Sequence, residues 1–255
     1  MPLSLRTVPC RSDNYAFLIH DPDTGATAVV DVPEVGPIET ALMREGWRLT
    51  DILITHHHDD HISGVPSLRA STGARVVGAK ADAHRLPKLD LAVAEGDSVA
   101  VGGETGTVLD VCGHTLGHIA FHFPASGLVF TADSLMALGC GRLFEGDAAT
   151  MWESLSKLAA LPPETLVCSG HEYTAANARF ALTVDGDNPA LLQRAADIDS
   201  ARARGEATVP STLALELATN PFLRASHPDV KARVGLPENP DVEVFARVRA
   251  LKDAF

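Results

Sequence analysis

The chain has 255 residues, of which 45% are hydrophobic, enough to build one large domain or one domain with a smaller appendage. Its formal net charge of −12 argues against a broad surface for nucleic acid or for anionic lipid. No apolar stretch is long enough to cross a bilayer, and residues 1–6 lack the features of a targeting segment. We therefore expect a cytoplasmic protein, a monomer or weak homo-oligomer, with neither nucleic acid nor membrane as a partner.

Strands and helices alternate along the first two thirds of the sequence. In chain order, the patterns predict a hairpin of strands 14–20 and 27–32, a helix at 37–47, a strand at 52–54, a helix at 62–69, a strand at 74–78, β-structure from 92 to 130, a helix at 147–161 and a strand at 165–168. Asp147 is a predicted N-cap.

The character of the sequence changes after Tyr173. No further strand is predicted there, and helices are predicted at 174–183, 188–204, 211–219 and 241–255. We therefore expect a layered α/β domain over residues 1–173, followed by a small all-helical domain over residues 174–255.

A dense run of titratable residues follows the strand at 52–54. It reads Thr-His-His-His-Asp-Asp-His over residues 55–61. Side chains alternate along an extended segment, so His56 and His58 point to the same side, and Asp60 and His61 lie where the chain turns. Burying such groups unpaired costs several kcal/mol each, so core packing does not explain the run. It predicts a site for metal ions.

Three later segments also place ligand-type side chains at strand ends. They carry His114, Asp133 and His171. One histidine after a strand is more commonly a solvated loop residue than a metal ligand. Four such clusters, one of them dense, favour a metal centre instead. The four cysteines form no CxxC pair and are expected to be reduced thiols.

These motifs resemble those of the metallo-β-lactamase superfamily and, within it, of the glyoxalase II (hydroxyacylglutathione hydrolase) family. The superfamily motif is T-H-x-H-x-D-H at 55–61. The family motifs are G-H-T-x-G-H at 113–118, F-T-x-D at 130–133, G-C-G-R at 139–142, G-H-E-Y-T at 170–174, T-V-P-S-T with N-P-F-L-R between 208 and 224, and R-x-x-K-D at 249–253. The resemblance implies an α/β fold, a four-layer αββα sandwich followed by a small all-helical carboxyl-terminal domain.

The resemblance also implies a binuclear metal site. Histidine and aspartate side chains would hold two divalent ions, the first by His56, His58 and His114, the second by Asp60, His61 and His171, with Asp133 as the bridge. Imidazole and carboxylate suit zinc, the expected metal, and equally iron or manganese. A hydroxide shared by the two ions would be the nucleophile, and Asp60 can accept its proton.

The implied activity is hydrolysis of S-2-hydroxyacylglutathione, typically S-D-lactoylglutathione, to glutathione and a 2-hydroxy acid such as D-lactate, the last step of methylglyoxal detoxification. Glutathione carries two carboxylates, so an acidic protein needs local cations to bind it. The matching substrate-binding positions are Arg142, Phe144, Tyr173, Arg249 and Lys252. Arg249 and Lys252 share one helix face, although two helix-borne cations are more often merely solvated.

Several assignments stay open at this point. Phe144 stands where relatives often have tyrosine, which removes a hydroxyl contact to substrate. His57 is expected to pack behind the ligands, and Asp31 can either orient a ligand histidine or cap a turn. The runner-up function is a persulfide dioxygenase with one iron ion, a class that generally lacks the helical domain. A nuclease is disfavoured by the negative charge, and a metal-storage protein is the non-catalytic alternative.

Overall fold

The structure is a computed structural model that describes residues 1–255. The strands are β1 (Ser4–Cys10), β2 (Asn14–His20), β3 (Thr27–Val30), β4 (Asp51–Leu53), β5 (Arg75–Ala79), β6 (Leu91–Val93), β7 (Ser98–Val101), β8 (Glu104–Asp110), β9 (Ile119–Phe123), β10 (Leu128–Ala132), β11 (Leu135–Met136), β12 (Gly139–Cys140), β13 (Leu166–Ser169) and β14 (Ser211–Thr212). The helices are α1 (Val35–Glu45), α2 (Asp59–Ile62), α3 (Val65–Thr72), α4 (Ala148–Ala159), α5 (Thr174–Asp185), α6 (Pro189–Ala203), α7 (Leu213–Thr219), α8 (Pro228–Arg233) and α9 (Asp241–Ala254).

The chain forms two compact units. The first comprises residues 1–111 and 116–132, and the second comprises residues 112–115 and 133–255. The first unit therefore contains β1 to β10 and α1 to α3, and the second contains β11 to β14 and α4 to α9. None of the nine helices has the length and apolar character needed to span a bilayer.

A six-stranded sheet organises the first unit. Its strand order is β1-β2-β3-β4-β5-β6, antiparallel from β1 to β3 and parallel from β3 to β6. β3 and β4 are buried throughout, which explains their continuous apolar sequences. Because β3 and β4 are parallel neighbours, their carboxyl ends meet at one edge of the sheet, where the histidine run begins.

The predicted β-structure between 92 and 130 contains a meander. β7, β8, β9 and β10 pair antiparallel in succession. Phe130 of β10 lies 5.7 Å, between ring centroids, from Phe17 of β2, so the meander and the six-stranded sheet share an apolar core. Both rings are almost completely buried. This sheet-on-sheet packing keeps both aromatic rings away from solvent.

Helices dominate the second unit. Asp147 caps α4 as predicted, accepting a hydrogen bond from Thr150 N at 2.8 Å. Trp152 of α4 contacts Phe245 of α9 with centroids 5.8 Å apart, and α6 begins at the capping residue Asn188. The core between α5 and α6 is built from small and branched residues, namely Leu138, Ala178, Ala181, Leu191 and Ile198.

The expectation that no strand follows Tyr173 was wrong in one place. β14 is a two-residue strand that pairs antiparallel with β13, and Val167 lies opposite Ser211. A strand of two residues is too short to show the alternation by which strands are recognised. β1 and α8 were also missed, although α8 begins with Pro228 in its first turn, a local helix-start signal.

Candidate metal centre

The histidine run begins directly after β4, beside the end of β3. Thr55, His56 and His61 are completely buried, and the chain turns into α2 at Asp59. Asp31, the first residue after β3, adopts a left-handed backbone conformation with φ of 57° and is 2% exposed. Its backbone N–H donates to Leu53 O at 2.9 Å, so the two strand ends are tied together. Aspartate tolerates this conformation better than most residues do.

Asp31 orients two histidines of the run. Its Oδ2 lies 2.8 Å from His61 Nδ1 and accepts a hydrogen bond of 2.8 Å from Thr55 Oγ1. Thr55 Oγ1 in turn lies 3.0 Å from His56 Nδ1. Because the threonine proton goes to the carboxylate, its oxygen accepts the Nδ1 proton of His56. Both imidazoles are therefore held in the tautomer whose Nε2 can coordinate a metal ion. Of the two readings for Asp31, the structure supports the orienting one.

Asp60 and His61 present donor atoms on one side of the short helix α2. Asp60 Oδ2 lies 3.8 Å from His61 Nε2, the nitrogen that Asp31 leaves available. Asn14 Nδ2 donates to Asp60 Oδ2 at 3.2 Å and to the Asp60 carbonyl at 3.1 Å. Asn14 was not recognised in the sequence, because a lone asparagine at the start of a strand belongs to no motif. The ring of His58 lies 4.8 Å from that of His56, consistent with the predicted common side.

Two further histidines, His57 and His118, lie beside this cluster and are not among the predicted ligands. His57 Nδ1 lies 2.9 Å from Asp82 Oδ2, and Asp82 also pairs with Arg85. This contact places His57 against a carboxylate behind the run, as expected. The ring of His118 stacks on that of His56, with centroids 4.6 Å apart and planes inclined by 14°.

The second unit gathers three of the predicted ligands by itself. Asp133 Oδ2 lies 3.5 Å from His114 Nε2 and 3.4 Å from His171 Nε2. All three residues are at least 94% buried. Asp133 follows the last residues of β10, and His171 follows β13, so each stands at a strand end as the sequence predicted. One oxygen of the Asp133 carboxylate therefore lies close to nitrogens of two imidazoles.

Main-chain geometry fixes the orientation of His114. Its Nδ1 lies 2.8 Å from the carbonyl oxygen of Arg142, which accepts the Nδ1 proton and leaves Nε2 to face Asp133. Gly141 is required in this segment, because a Cβ there would lie 2.0 Å from the Asp133 carbonyl oxygen. Gly113, with φ of 140°, is required likewise, since a Cβ would lie 2.7 Å from that of Met151.

The donor set suits metal ions with nitrogen and oxygen preference. The structure groups histidine and aspartate side chains into clusters that can bind a metal ion. In one such group, Asp31, His56 and His61 bring potential ligand atoms within 4.8 Å of one another, but both Asp31 oxygens already accept hydrogen bonds. Asp31 is therefore an orienting residue. Burial raises the pKa of the Cys140 thiol from 9.0 to about 11.

The predicted substrate-binding residues fall into two environments. Arg142 and Phe144 are exposed, and the Phe144 ring meets that of His114 with centroids 5.3 Å apart. Tyr173 is 40% exposed and stacks on His171 with centroids 4.6 Å apart. These three residues thus border the ligand cluster of the second unit.

Arg249 and Lys252 lie on α9 and are less accessible. Arg249 is buried, with Nη1 donating to Cys140 O at 3.0 Å and Nη2 to Asp253 Oδ1 at 2.9 Å. Lys252 is half-buried, and its ammonium lies 5.2 Å from the ring centroids of both Phe180 and Phe255. Burial lowers the pKa of Lys252, with the Arg249 charge as a further cause. Their role toward substrate stays a prediction.

Two family models match the chain in succession. Residues 13–171 match the metallo-beta-lactamase superfamily, and residues 172–255 match the hydroxyacylglutathione hydrolase C-terminus. The hydroxyacylglutathione hydrolase of Cereibacter sphaeroides is 64% identical over 255 residues, covering 100% of both sequences. That of Methylococcus capsulatus is 51% identical over 253 residues, covering 99% of both.

Solved structures agree on the fold. The di-iron-bound form of TTHA1623 is 25% identical, with a TM-score of 0.61, and the match covers 85% of this chain and 98% of that one. The predicted α/β class, a metallo-β-lactamase sandwich followed by a helical domain, is confirmed. The chain belongs to the hydroxyacylglutathione hydrolase family of the metallo-β-lactamase superfamily.

Proposed function

We propose that this chain hydrolyses S-2-hydroxyacylglutathione thioesters, typically S-D-lactoylglutathione, to glutathione and a 2-hydroxy acid such as D-lactate. This reaction would be the last step of methylglyoxal detoxification in the cytoplasm. The observation that carries the proposal is full-length identity of 64% to a hydroxyacylglutathione hydrolase, together with the helical domain of that family over residues 172–255. The clustered histidines and aspartates supply the chemistry that such a hydrolase needs.

Two divalent metal ions are the proposed cofactors. The proposed ligands are His56, His58 and His114 for one ion and Asp60, His61 and His171 for the other, with Asp133 shared. Zinc is the proposed metal, and iron and manganese fit the same donor set. The two-ion proposal is supported by the position of Asp133 Oδ2, which lies near a nitrogen of His114 and a nitrogen of His171, one histidine from each proposed ligand set. The di-iron form of TTHA1623 is a related protein with two ions.

The residues of the chain have separate roles in the proposed reaction. When bound, the two ions would supply a hydroxide nucleophile near neutral pH and favour negative charge on the thioester oxygen. Asp60 would accept the proton of the nucleophilic hydroxide, and Asn14 donates a hydrogen bond to the Asp60 carboxylate. Asp133, between His114 and His171, would supply a negative charge that offsets part of the positive charge of the ions. The leaving thiol has an ordinary pKa of about 8.5, so it needs no dedicated general acid.

Cationic and aromatic side chains of the second unit would bind the glutathione portion. The exposed Arg142 is proposed to contact a carboxylate, and Tyr173 to donate a hydrogen bond from its hydroxyl group. Arg249 and Lys252 are proposed to add positive charge nearby, which an acidic chain requires for a substrate with two carboxylates. Phe144 supplies apolar contact only. We propose that the enzyme acts as a monomer or a weak homo-oligomer.

The proposal is tested by assaying S-D-lactoylglutathione hydrolysis and metal content on one preparation. We expect thioester cleavage with about two equivalents of metal per chain. The competing hypothesis, a persulfide dioxygenase with one iron ion, predicts oxygen consumption with glutathione persulfide instead. Metal-loaded protein that consumed oxygen and left the thioester intact would reverse the assignment.

A further inference from the structure

A short buried hairpin lies between two parts of the candidate centre in the second unit. β11 and β12 pair antiparallel, with Leu135 opposite Cys140 and Met136 opposite Gly139. The hairpin follows Asp133 and leads to Gly141 and Arg142. Every residue from 131 to 141 is buried. Such a buried turn must satisfy its main-chain polar groups within the protein.

Side chains of the helical region supply those hydrogen bonds. Five contacts involve five consecutive residues of the hairpin: Asn220 Nδ2 donates to Met136 O at 3.1 Å and to Gly139 O at 3.0 Å, Asn177 Nδ2 to Ala137 O at 3.0 Å, Leu138 N to Glu216 Oε2 at 2.9 Å, and Arg249 Nη1 to Cys140 O at 3.0 Å. We name Asn177, Glu216, Asn220 and Arg249 the hairpin clamp. Its members come from α5, α7, the end of α7 and α9.

The clamp is itself rigidly held. Glu216 and Asn220 are completely buried, and Asn220 Nδ2 also donates to Glu216 Oε2 at 3.1 Å. The other oxygen of Glu216 accepts from Ser211 Oγ at 2.5 Å and from the Arg194 guanidinium. A buried carboxylate with this many donors has little freedom to move. The clamp therefore imposes one position on the hairpin.

The hairpin contains a strained residue that the hydrogen bonds of the clamp hold in place. Leu138 has φ of 55°, a left-handed conformation that is strained for a leucine. Its N–H is the group that Glu216 accepts from, so the clamp acts at the strained residue. Without the clamp, relaxation of this turn would displace both ends of the hairpin.

Both ends of the hairpin carry parts of the centre. At the entrance, Asp133 faces His114 and His171. At the exit, the Arg142 carbonyl holds His114 Nδ1, and Gly141 N donates to Ser134 O at 3.2 Å to close the hairpin base. A shift of the hairpin would therefore move a proposed ligand and the group that orients another ligand.

We infer that Asn220, Glu216 and Asn177 are positioning residues that hold Asp133 and His114 in the geometry required for metal binding. The inference rests on the proposed function, in which Asp133 and His114 are ligands. It assigns a role to the T-V-P-S-T and N-P-F-L-R motifs, because Ser211, Glu216 and Asn220 belong to these motifs or the helix between them. The helical domain would thus support the metal centre as well as bind substrate.

The test compares Asn220→Ala and Asn177→Ala with Asn188→Ala in the full chain. Asn188 also caps a helix and donates from Nδ2, to Asp185 Oδ2 and Ala218 O, but it makes no hydrogen bond to the hairpin. Metal-free proteins would be titrated with Zn²⁺ against a chromogenic chelator, and their thermal unfolding would be measured without metal. Visible absorption of the Co²⁺-loaded proteins reports ligand geometry independently of activity.

We expect the two clamp variants to lose roughly tenfold or more in Zn²⁺ affinity for at least one ion and to show an altered Co²⁺ spectrum, since supporting groups of metal ligands typically contribute 10–100-fold. Asn188→Ala should lose thermal stability and keep both metal readouts. Asn177→Ala preserves the test if Asn220→Ala fails to fold. Clamp variants that match Asn188→Ala in Zn²⁺ affinity and Co²⁺ spectrum would overturn the inference. Wild-type protein without metal or hydrolase activity would instead overturn the proposed function.

Discussion

The Asp31→Asn substitution tests how His61 is prepared for metal binding. Asparagine tolerates the left-handed backbone at this position, so the main chain keeps its shape. Thr55 N donates to Asp31 Oδ1 at 2.9 Å, which places the asparagine oxygen there and the amide nitrogen opposite His61 Nδ1. The metal-free protein would lose a buried hydrogen bond to a charged group, about 1.5–3 kcal/mol of unfolding free energy.

The larger consequence concerns the metal. An amide N–H that faces His61 Nδ1 favours the tautomer with its proton on Nε2, the nitrogen proposed to coordinate the ion. Loss of an orienting carboxylate typically weakens metal binding by roughly 10–100-fold, which corresponds to about 1.4–2.7 kcal/mol. Thr55 loses its acceptor at the same time, so the orientation of His56 is weakened as well.

Asp82→Asn is the matched control for this substitution. Asp82 is as buried as Asp31 and also contacts a histidine, with 2.9 Å between Asp82 Oδ2 and His57 Nδ1, but His57 is not a proposed ligand. Competition titration with Zn²⁺ should show weaker binding for Asp31→Asn and unchanged binding for Asp82→Asn, while thermal unfolding shows both destabilised. Equal Zn²⁺ affinity in the two variants would refute the reasoning.

Three further predictions concern the second unit. Asp133→Ala should abolish bound metal and hydrolysis together, and full turnover with normal metal content would contradict its bridging role. Lys252→Met should raise KM with kcat unchanged, and Arg249→Met should have the same kinetic effect. Arg249→Met should in addition lower the unfolding free energy by about 1.5–3 kcal/mol, because the variant loses buried hydrogen bonds to Cys140 O and Asp253. Denaturant unfolding distinguishes the two, and equal stability would contradict the assigned contacts. Burial raises the pKa of the Cys140 thiol to about 11, so the thiol stays neutral in the folded protein at a pH where it ionises in the unfolded chain. The unfolding free energy should therefore fall as the pH rises from 9.0 toward about 11, and it should fall less steeply in Cys140→Ala. Equal slopes of unfolding free energy against pH in the two proteins would contradict this assignment.

Elements with strong local signals were predictable from the sequence. The turn residues at 21–25 lie between the paired strands β2 and β3, and the Asp147 cap begins α4. The density of the 55–61 run identified a candidate site, because few packing arrangements need so many titratable groups. In each case the decisive information lies within a few residues along the chain.

Features that depend on distant partners were not predictable in this way. Asn14 contacts Asp60 across 46 residues, and Leu138 contacts Glu216 across 78 residues. Neither separation produces a periodic pattern, and a single sequence does not reveal which polar groups the fold brings together. Asn220 and Arg249 of the hairpin clamp lie within recognisable motifs, but the sequence does not reveal that their partner is the main chain of residues 136–140.

The two units orient their histidines by different chemical means. In the second unit, this difference allows the side chain and the carbonyl group of one residue, Arg142, to have separate roles. In the first unit a side-chain carboxylate holds His61, so substitution of Asp31 removes the support directly. In the second unit a main-chain carbonyl holds His114, and the side chain at position 142 takes no part in that contact. Arg142 can therefore vary with substrate preference while its carbonyl continues to orient the ligand. The orientation of His114 requires only the path of the backbone at position 142, and the hairpin clamp together with Gly141 maintains that path.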